Sequence, residues 1–318
     1  MSSSPRKLPG RFQNTFQTLV ILSAMVSLFG LLGWIVLGAF GVIWALLIAG
    51  FILLTTPRLS PIIVLRMYNA RALSFEDAGV LYRIVAELSR RAGLTYAPRL
   101  HYVPSRSMNA FSVGSKHNSA IALSDGLVRL LSLRELAGVL AHEISHISSN
   151  DLRLHALADM MTRVTSMLSF FGQALILFYL PMIFFSDVRI PLSFILALIF
   201  APVVSMLLQL ALSRTREFDA DLAAVGLTND PRGLATALQK MENYESSIWD
   251  ILVAPGRKNP HPSILRTHPH TRKRIERLMN LEQGKELEIP GFHDRIVLPE
   301  RFPEVFHQAG WHWFRPRR

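Results

Sequence analysis

The chain has 318 residues, half of them hydrophobic, no cysteine, and a formal net charge of +11 at pH 7. Without cysteine a disulfide-held scaffold is excluded. No basic stripe with interleaved aromatics stands out in the polar segments, which sets aside nucleic-acid binding as the reason for a pI near 10.5. The composition points instead to a membrane protein.

From Phe12 to Pro57 there is no Asp, Glu, Lys, Arg or His. As one helix these 46 residues would extend roughly 69 Å, more than twice a ~30 Å hydrocarbon core. The run therefore predicts a helical hairpin, turning near Gly38 to Gly41. It is too long for a cleaved signal peptide. Polar chain follows. Ser74 to Ala92 predicts a helix with Ser74 as its cap and Val80, Leu81, Ile84, Val85 and Leu88 on its apolar face. Arg99 to Val103, Asn109 to Val113 and Ser119 to Leu123 predict strands.

The pentad His142-Glu143-Ile144-Ser145-His146 carries the chemistry. On an α-helix, positions i and i+4 lie on one face, so His142 and His146 can present imidazole nitrogens to one ion. Glu143 sits beside the first of them, close enough to take a proton from a water held there. Neutral imidazoles and a carboxylate suit Zn²⁺, which polarises a carbonyl and acidifies water. Leu133, Leu136, Val139, Leu140, Ile144 and Ile147 recur at helical spacing behind the cap Ser132, so the motif lies on a core-facing helix. A third protein ligand is required, with the fourth position left open.

Two more apolar runs follow, Val164 to Ser186 and Ile190 to Ser213, separated only by Asp187-Val188-Arg189. Each is long enough to span a bilayer. Pro181, Pro191 and Pro202 are tolerable in such helices, with kinks. Past them stands Ser213-Arg214-Thr215-Arg216-Glu217-Phe218-Asp219-Ala220-Asp221. Glu217 is the expected third metal ligand. Asp221, on the same helix face, can accept the outward N–H of a ligand histidine. Asp151 and Asp219 are the next candidates for the ligand. Asp230-Pro231 opens another helix, with Asp as cap and Pro at the first helical position, and Thr271 to Leu281 predicts the last one.

HEISH followed by SRTREFDAD resembles the integral-membrane gluzincin metallopeptidases that include HtpX and the type I CAAX prenyl proteases. Met108 to Gly114 and Ser119 to Leu127 resemble that family's NAF segment and following strand. Thr267-His268-Pro269-His270, with Arg274-Ile275 and Leu278 beyond it, resembles its later THP…RI…L segment. These matches stand in family order over just over half the chain. The resemblance implies that Asn109, Ala110, Phe111 and Ser112 lie in an edge strand above the active-site cleft. Extended substrate chain would pair there through its main chain. It also implies a donor to the developing oxyanion from His268, with Arg274, otherwise a residue of an ordinary salt bridge, as the alternative.

The expected fold is α+β and mainly helical. A zincin-like catalytic domain is split by a transmembrane hairpin, with about four transmembrane helices in all. The boundaries are 1–57 for the first hairpin, 58–163 for the first catalytic part, 164–213 for the second hairpin and 214–318 for the rest. Arg6, Lys7 and Arg11 before the first span, and Arg58, Arg66 and Arg71 after the second, put both termini and the metal site on the cytoplasmic side; the resemblance implies a bacterial plasma membrane. The expected function is that of a zinc metalloendopeptidase with one Zn²⁺ per chain. Resemblance to HtpX implies stress-related quality control of unfolded or damaged membrane proteins. One alternative is a processing protease for a defined membrane or lipidated peptide. Another is a membrane-anchored chaperone with a structural metal, against which stands Glu143, a residue with no place among the ligands.

Overall fold

The computed structural model describes residues 11–55, 61–185, 191–252, 271–281, 298 and 302. The basic tail Phe306 to Arg318 lies outside them. Nine helices and four short strands are found among the described residues, so the fold is mainly helical. They group into two compact units.

The first unit gathers helix α1 (Arg11–Thr55), α6 (Asp151–Phe185) and α7 (Leu192–Thr228) as far as Asp219. All three helices are long and apolar enough to cross a membrane. Two hairpins of two spans each were expected. The structure has three such helices, the first of which leaves helical geometry at Gly38 (φ 61°, ψ −142°). A positive φ of this kind is free only to glycine. Gly33 and Gly41 then approach so closely that a Cβ on either would collide with the other's carbonyl. Met25 and Phe29 from before the break share one apolar cluster with Ala45 and Ile52 from after it, together with Ala158, Met161 and Leu212. Along a straight helix Met25 and Ile52 would stand about 40 Å apart, so α1 folds back on itself.

Several polar groups inside this apolar unit find partners. Pro202 has no N–H to offer the carbonyl of Leu198, four residues earlier. Ser169 and Gln173 of α6 donate to that carbonyl instead, Gln173 Nε2 at 3.1 Å. Near the polar end of α7, Arg216 donates to Thr18 Oγ1 at 2.7 Å and lies 3.4 Å from Asp151 Oδ1 and 3.7 Å from Asp219 Oδ2.

The second unit holds α2 (Pro61–Met67), β1 (Arg71–Ala72), α3 (Phe75–Arg91), β2 (Arg99–Val103), β3 (Ala110–Ser115), β4 (Asn118–Ser124), α4 (Asp125–Leu130), α5 (Leu133–Ser148), the end of α7, α8 (Pro231–Leu252) and α9 (Thr271–Met279). The three strands expected from the sequence are β2, β3 and β4. The sheet order is β1-β2-β4-β3, with β2 and β4 parallel and the other pairs antiparallel. Leu65 of α2 covers one face through Val103, Val113, Ala120 and Ala122. On the opposite side α5 contacts β3 and β4, and it also meets α3 and α8.

Local chemistry sets the helix starts. Ser74 and Ser132 each accept from the third helical amide, and Asp77 and Glu135 reach back to the cap N–H, forming two capping boxes. Gly138 of α5 allows α8 to come close, because a Cβ there would meet Leu234 Cα at 2.9 Å. Asp230 caps α8 by accepting from Gly233 N at 3.0 Å, and Arg134 of α5 grips it at 2.6 and 2.7 Å. Burial pushes the Asp230 carboxyl up, but Arg134 and the Gly233 amide outweigh it and hold it below its ordinary value of 3.8.

Asp230→Ala removes both a cap and an ion pair, and should cost about 2–3 kcal/mol of stability at pH 7. A depressed carboxylate contributes in full above its unfolded value and loses its contribution as pH falls through the folded one. The deficit should therefore be complete above pH 3.8 and shrink below it. Thermal melting of the detergent-solubilised protein across that range is the check.

Candidate metal centre and active site

Helix α5 is buried on nearly every side: from Glu135 to Ile147 each residue is buried. An amphipathic helix with one core-facing stripe was expected. The surrounding sheet, α3 and α8 leave it no solvent face, so its polar side chains need partners inside the protein.

His142 and His146 point their Nε2 atoms at one another across 3.1 Å, with the rings nearly perpendicular. Glu217, on α7, brings a carboxylate to the same point, and the donor atoms of the three residues all lie within 4.8 Å of one another. Each of the three is less than a tenth exposed. On α7 one turn further, Asp221 accepts the Nδ1–H of His142 at 3.0 Å. That bond places the proton on Nδ1 and leaves the Nε2 lone pair facing His146. Two lone pairs held so close repel unless a proton or a cation sits between them. Two nitrogens bound to one tetrahedral zinc at about 2.0–2.1 Å would be roughly 3.3 Å apart. Both the spacing and the two-imidazole, one-carboxylate donor set fit such an ion. Asp151 and Asp219, the alternative third ligands, are placed against Arg216.

Asp221 is also gripped by Arg274 of α9, whose Nε and Nη2 donate to its two oxygens at 2.7 and 2.6 Å. Arg274 is almost wholly buried, and its Nη2 lies 3.4 Å from His142 Nδ1. Arg274 was expected either to replace His268 as an oxyanion donor or to form an ordinary salt bridge. The structure engages it in a salt bridge, with Asp221, at the back of His142. A sequence signal existed: Arg274 stands four residues before Leu278 and seven before Leu281, on the apolar face of a short helix. An arginine in that stripe needs a buried partner.

Glu143, next in chain to His142, is buried. It accepts a hydrogen bond of 2.7 Å from Ser112 Oγ. Ala110, Phe111 and Ser112 lie on β3, an edge strand of the sheet, and Asn109 directly precedes it. Sequence reasoning placed Ser112 in a substrate strand and missed its side-chain bond, because 31 residues separate the partners. His268 lies outside the described residues.

Three helices long and apolar enough to cross a membrane, and a buried His/His/Glu cluster with a second glutamate next in chain, fit a membrane-bound metalloprotease. The comparisons agree. The model of peptidase family M48 matches residues 76–282, and the chain belongs to that family. Similar proteins include the "Protease HtpX homolog" of Paraburkholderia phytofirmans, 32% identical over 86% of this chain and 99% of its own length. That of Ralstonia pickettii is 32% identical over 85% and 97% respectively. That of Pyrococcus abyssi is 35% identical over 84% and 96%.

The buried pair can be tested apart from any activity. Arg274→Met leaves Asp221 charged and half-partnered, and should cost about 3–5 kcal/mol of stability. Adding Asp221→Asn to that variant should recover part of the loss, which would appear as a higher melting temperature for the double variant than for Arg274→Met alone.

Proposed function

We propose that this protein is a zinc-dependent endopeptidase that cleaves misfolded or damaged membrane proteins on the cytoplasmic side of the bilayer. The observation that carries the reading is the convergence of His142, His146 and Glu217 with a non-ligand carboxylate, Glu143, next in chain to the first of them. A purely structural metal site closes its coordination with protein groups and gives no reason for Glu143. Zinc held by the three residues supplies a Lewis acid for the scissile carbonyl and lowers the pKa of water.

The chain's own groups do the rest. Glu143 Oε takes the proton of the attacking water and returns it to the leaving amine. Asp221 keeps His142 in the tautomer with a free Nε2, and Arg274 holds Asp221 in place. The outer edge of β3, on which no strand lies among the described residues, offers an unfolded chain main-chain hydrogen bonds that carry little sequence information. That suits substrates of mixed sequence, and it favours quality control over processing of one defined peptide.

The break at Gly38 supports two crossings within α1, and with α6 and α7 these make four. An even number of crossings between His146 and Glu217 is what a shared ion requires. Flanking arginines and lysines support a cytoplasmic position for the catalytic residues, and Glu217 stands close to the end of an apolar helix run. The residues that would hold zinc then lie near the headgroups.

Glu143→Gln should keep zinc at one per chain while cleavage of casein falls by at least a hundredfold; full zinc with near-normal turnover would sink the proposed chemistry. Glu217→Ala should lose both zinc and activity, and stoichiometric tight zinc in that variant would remove Glu217 from the ligand set. The placement has its own test. One cleavable sequence is inserted at increasing distances from the last transmembrane residue of a model substrate. Cutting should favour cytoplasmic positions next to the bilayer and spare spans still helical in lipid, whose backbone groups are already paired. Cleavage independent of distance, or on the opposite side, would overturn it.

A further inference from the structure

The hydrogen bonding of β3 gives Ser112 two jobs at once. Its register with β4 pairs Ala110 with Leu123, Phe111 with Ala122 and Ser112 with Ile121, and closes on Ser115 with Asn118. Ser124 N donates to Asn109 O at 3.0 Å. In an antiparallel ladder, bonded and non-bonded pairs alternate. Positions 109, 111, 113 and 115 therefore spend their main-chain groups on β4, while those of Ala110, Ser112 and Gly114 face away from it. Among the described residues no strand lies on that outer side. Side chains alternate as well, and the Ser112 hydroxyl turns towards α5, where it donates to Glu143 Oε2 at 2.7 Å. Both side chains are buried.

We propose that Ser112 is a positioning residue. Its main chain pairs with the bound polypeptide, and its hydroxyl fixes the Glu143 carboxylate relative to the peptide bond so held. The inference rests on the proteolytic reading above. A glutamate side chain has three rotatable bonds, and loss of its one short side-chain partner frees it to leave the orientation in which its other oxygen, Oε1, meets water. The Ser112 hydroxyl has a single proton, and it is committed to Glu143. Ser112 thus links strand pairing to the base through one residue. Phe111, whose main chain is bonded to β4 and whose side chain packs on Tyr68 with ring centroids 4.8 Å apart, has neither role.

The experiment uses the full chain in detergent with labelled casein as substrate, and records kcat, KM, zinc content and melting temperature. Ser112→Ala keeps the main chain that pairs with substrate and removes only the hydroxyl. It should lower kcat about tenfold, the worth of one hydrogen bond to a charged group. KM should stay within about twofold and zinc at one per chain. Ser112→Thr, which restores the hydroxyl, should recover most of the turnover. Should the extra methyl prevent folding, Ser112→Cys takes its place, with partial recovery expected from a weaker donor.

Turnover of Ser112→Ala within twofold of the parent would overturn the proposal, as would a loss confined to KM. Loss of zinc or of the melting transition in Ser112→Ala would make the residue structural and end it too. So would failure of every folded hydroxyl or thiol variant to recover turnover. The outcomes separate this inference from the reading beneath it. If Glu143→Gln stays active, the proteolytic mechanism itself fails; if Glu143→Gln is dead while Ser112→Ala is unimpaired, only the role of Ser112 falls.

Discussion

Asp221 is a carboxylate withdrawn from water, and an unpaired charge in such a position costs several kcal/mol. Two donors offset that cost, the guanidinium of Arg274 at 2.6 and 2.7 Å and the Nδ1–H of His142 at 3.0 Å. Each has a structural consequence. The bidentate fork tolerates little rotation, so it fixes α9 against the last turns of α7. The imidazole bond decides which nitrogen carries the proton, and so aims the Nε2 lone pair of His142 at the same point as that of His146. The geometry of the His/His/Glu cluster is thus set one step behind it, by a pair outside the cluster.

The same rule of burial governs α5. A helix enclosed by a sheet and two other helices cannot hide polar side chains in solvent, and each must be satisfied internally. Ser145 donates to the Ala141 carbonyl at 2.7 Å, Glu143 accepts from Ser112, and Glu135, near the helix start, takes Lys240 at 2.8 Å. Burial pushes the Glu135 carboxyl up, but Lys240 and the Ser132 amide and hydroxyl outweigh it and keep it below the ordinary carboxylate range. The polar residues of α5 therefore stand in a buried, hydrogen-bonded setting, where a side chain has few alternative positions and charges act strongly on one another.

What could be read from the sequence was local. The caps Ser74, Ser132 and Asp230 act within three residues of themselves, and the i, i+4 spacing of His142 and His146 and of Glu217 and Asp221 is a property of any helix. Strands β2, β3 and β4 announced themselves through short runs of β-branched and apolar residues. The helices α2 and α4 are seven and six residues long, and β1 is a two-residue pairing with His101 and Tyr102, too brief for any periodicity. The start of α6 was missed for another reason. Hydropathy marks Val164 as the beginning of an apolar run, yet the helix begins at Asp151, because Arg153, His155, Asp159 and Arg163 extend it through a polar stretch. Apolarity reports the lipid-facing segment and leaves the helix end open. The bonds of Ser112 to Glu143 and of Arg274 to Asp221 cross 31 and 53 residues, and only the folded chain brings those partners together.

The register of α7 carries a further constraint. A helix in a bilayer slides against its neighbours at small cost when the contacts are only apolar, since lipid tails pack as well as leucine does. One residue of slip would turn Glu217 by about 100° and shift it about 1.5 Å, enough to take its carboxylate away from the two imidazoles. Polar contacts oppose such slip because they cannot be exchanged for lipid. Near one end of α7, the Leu198 carbonyl freed by Pro202 is held by Ser169 and Gln173. Near the other, Arg216 is held by Thr18 and Asp151. These positions are 18 residues apart, a rise of roughly 27 Å, and the helix between them is unbroken. Pinned at both places, α7 resists slipping, and Glu217 stands one residue beyond the second pin. The proline that frees a carbonyl within an apolar span thereby helps to place a side chain four helical turns away.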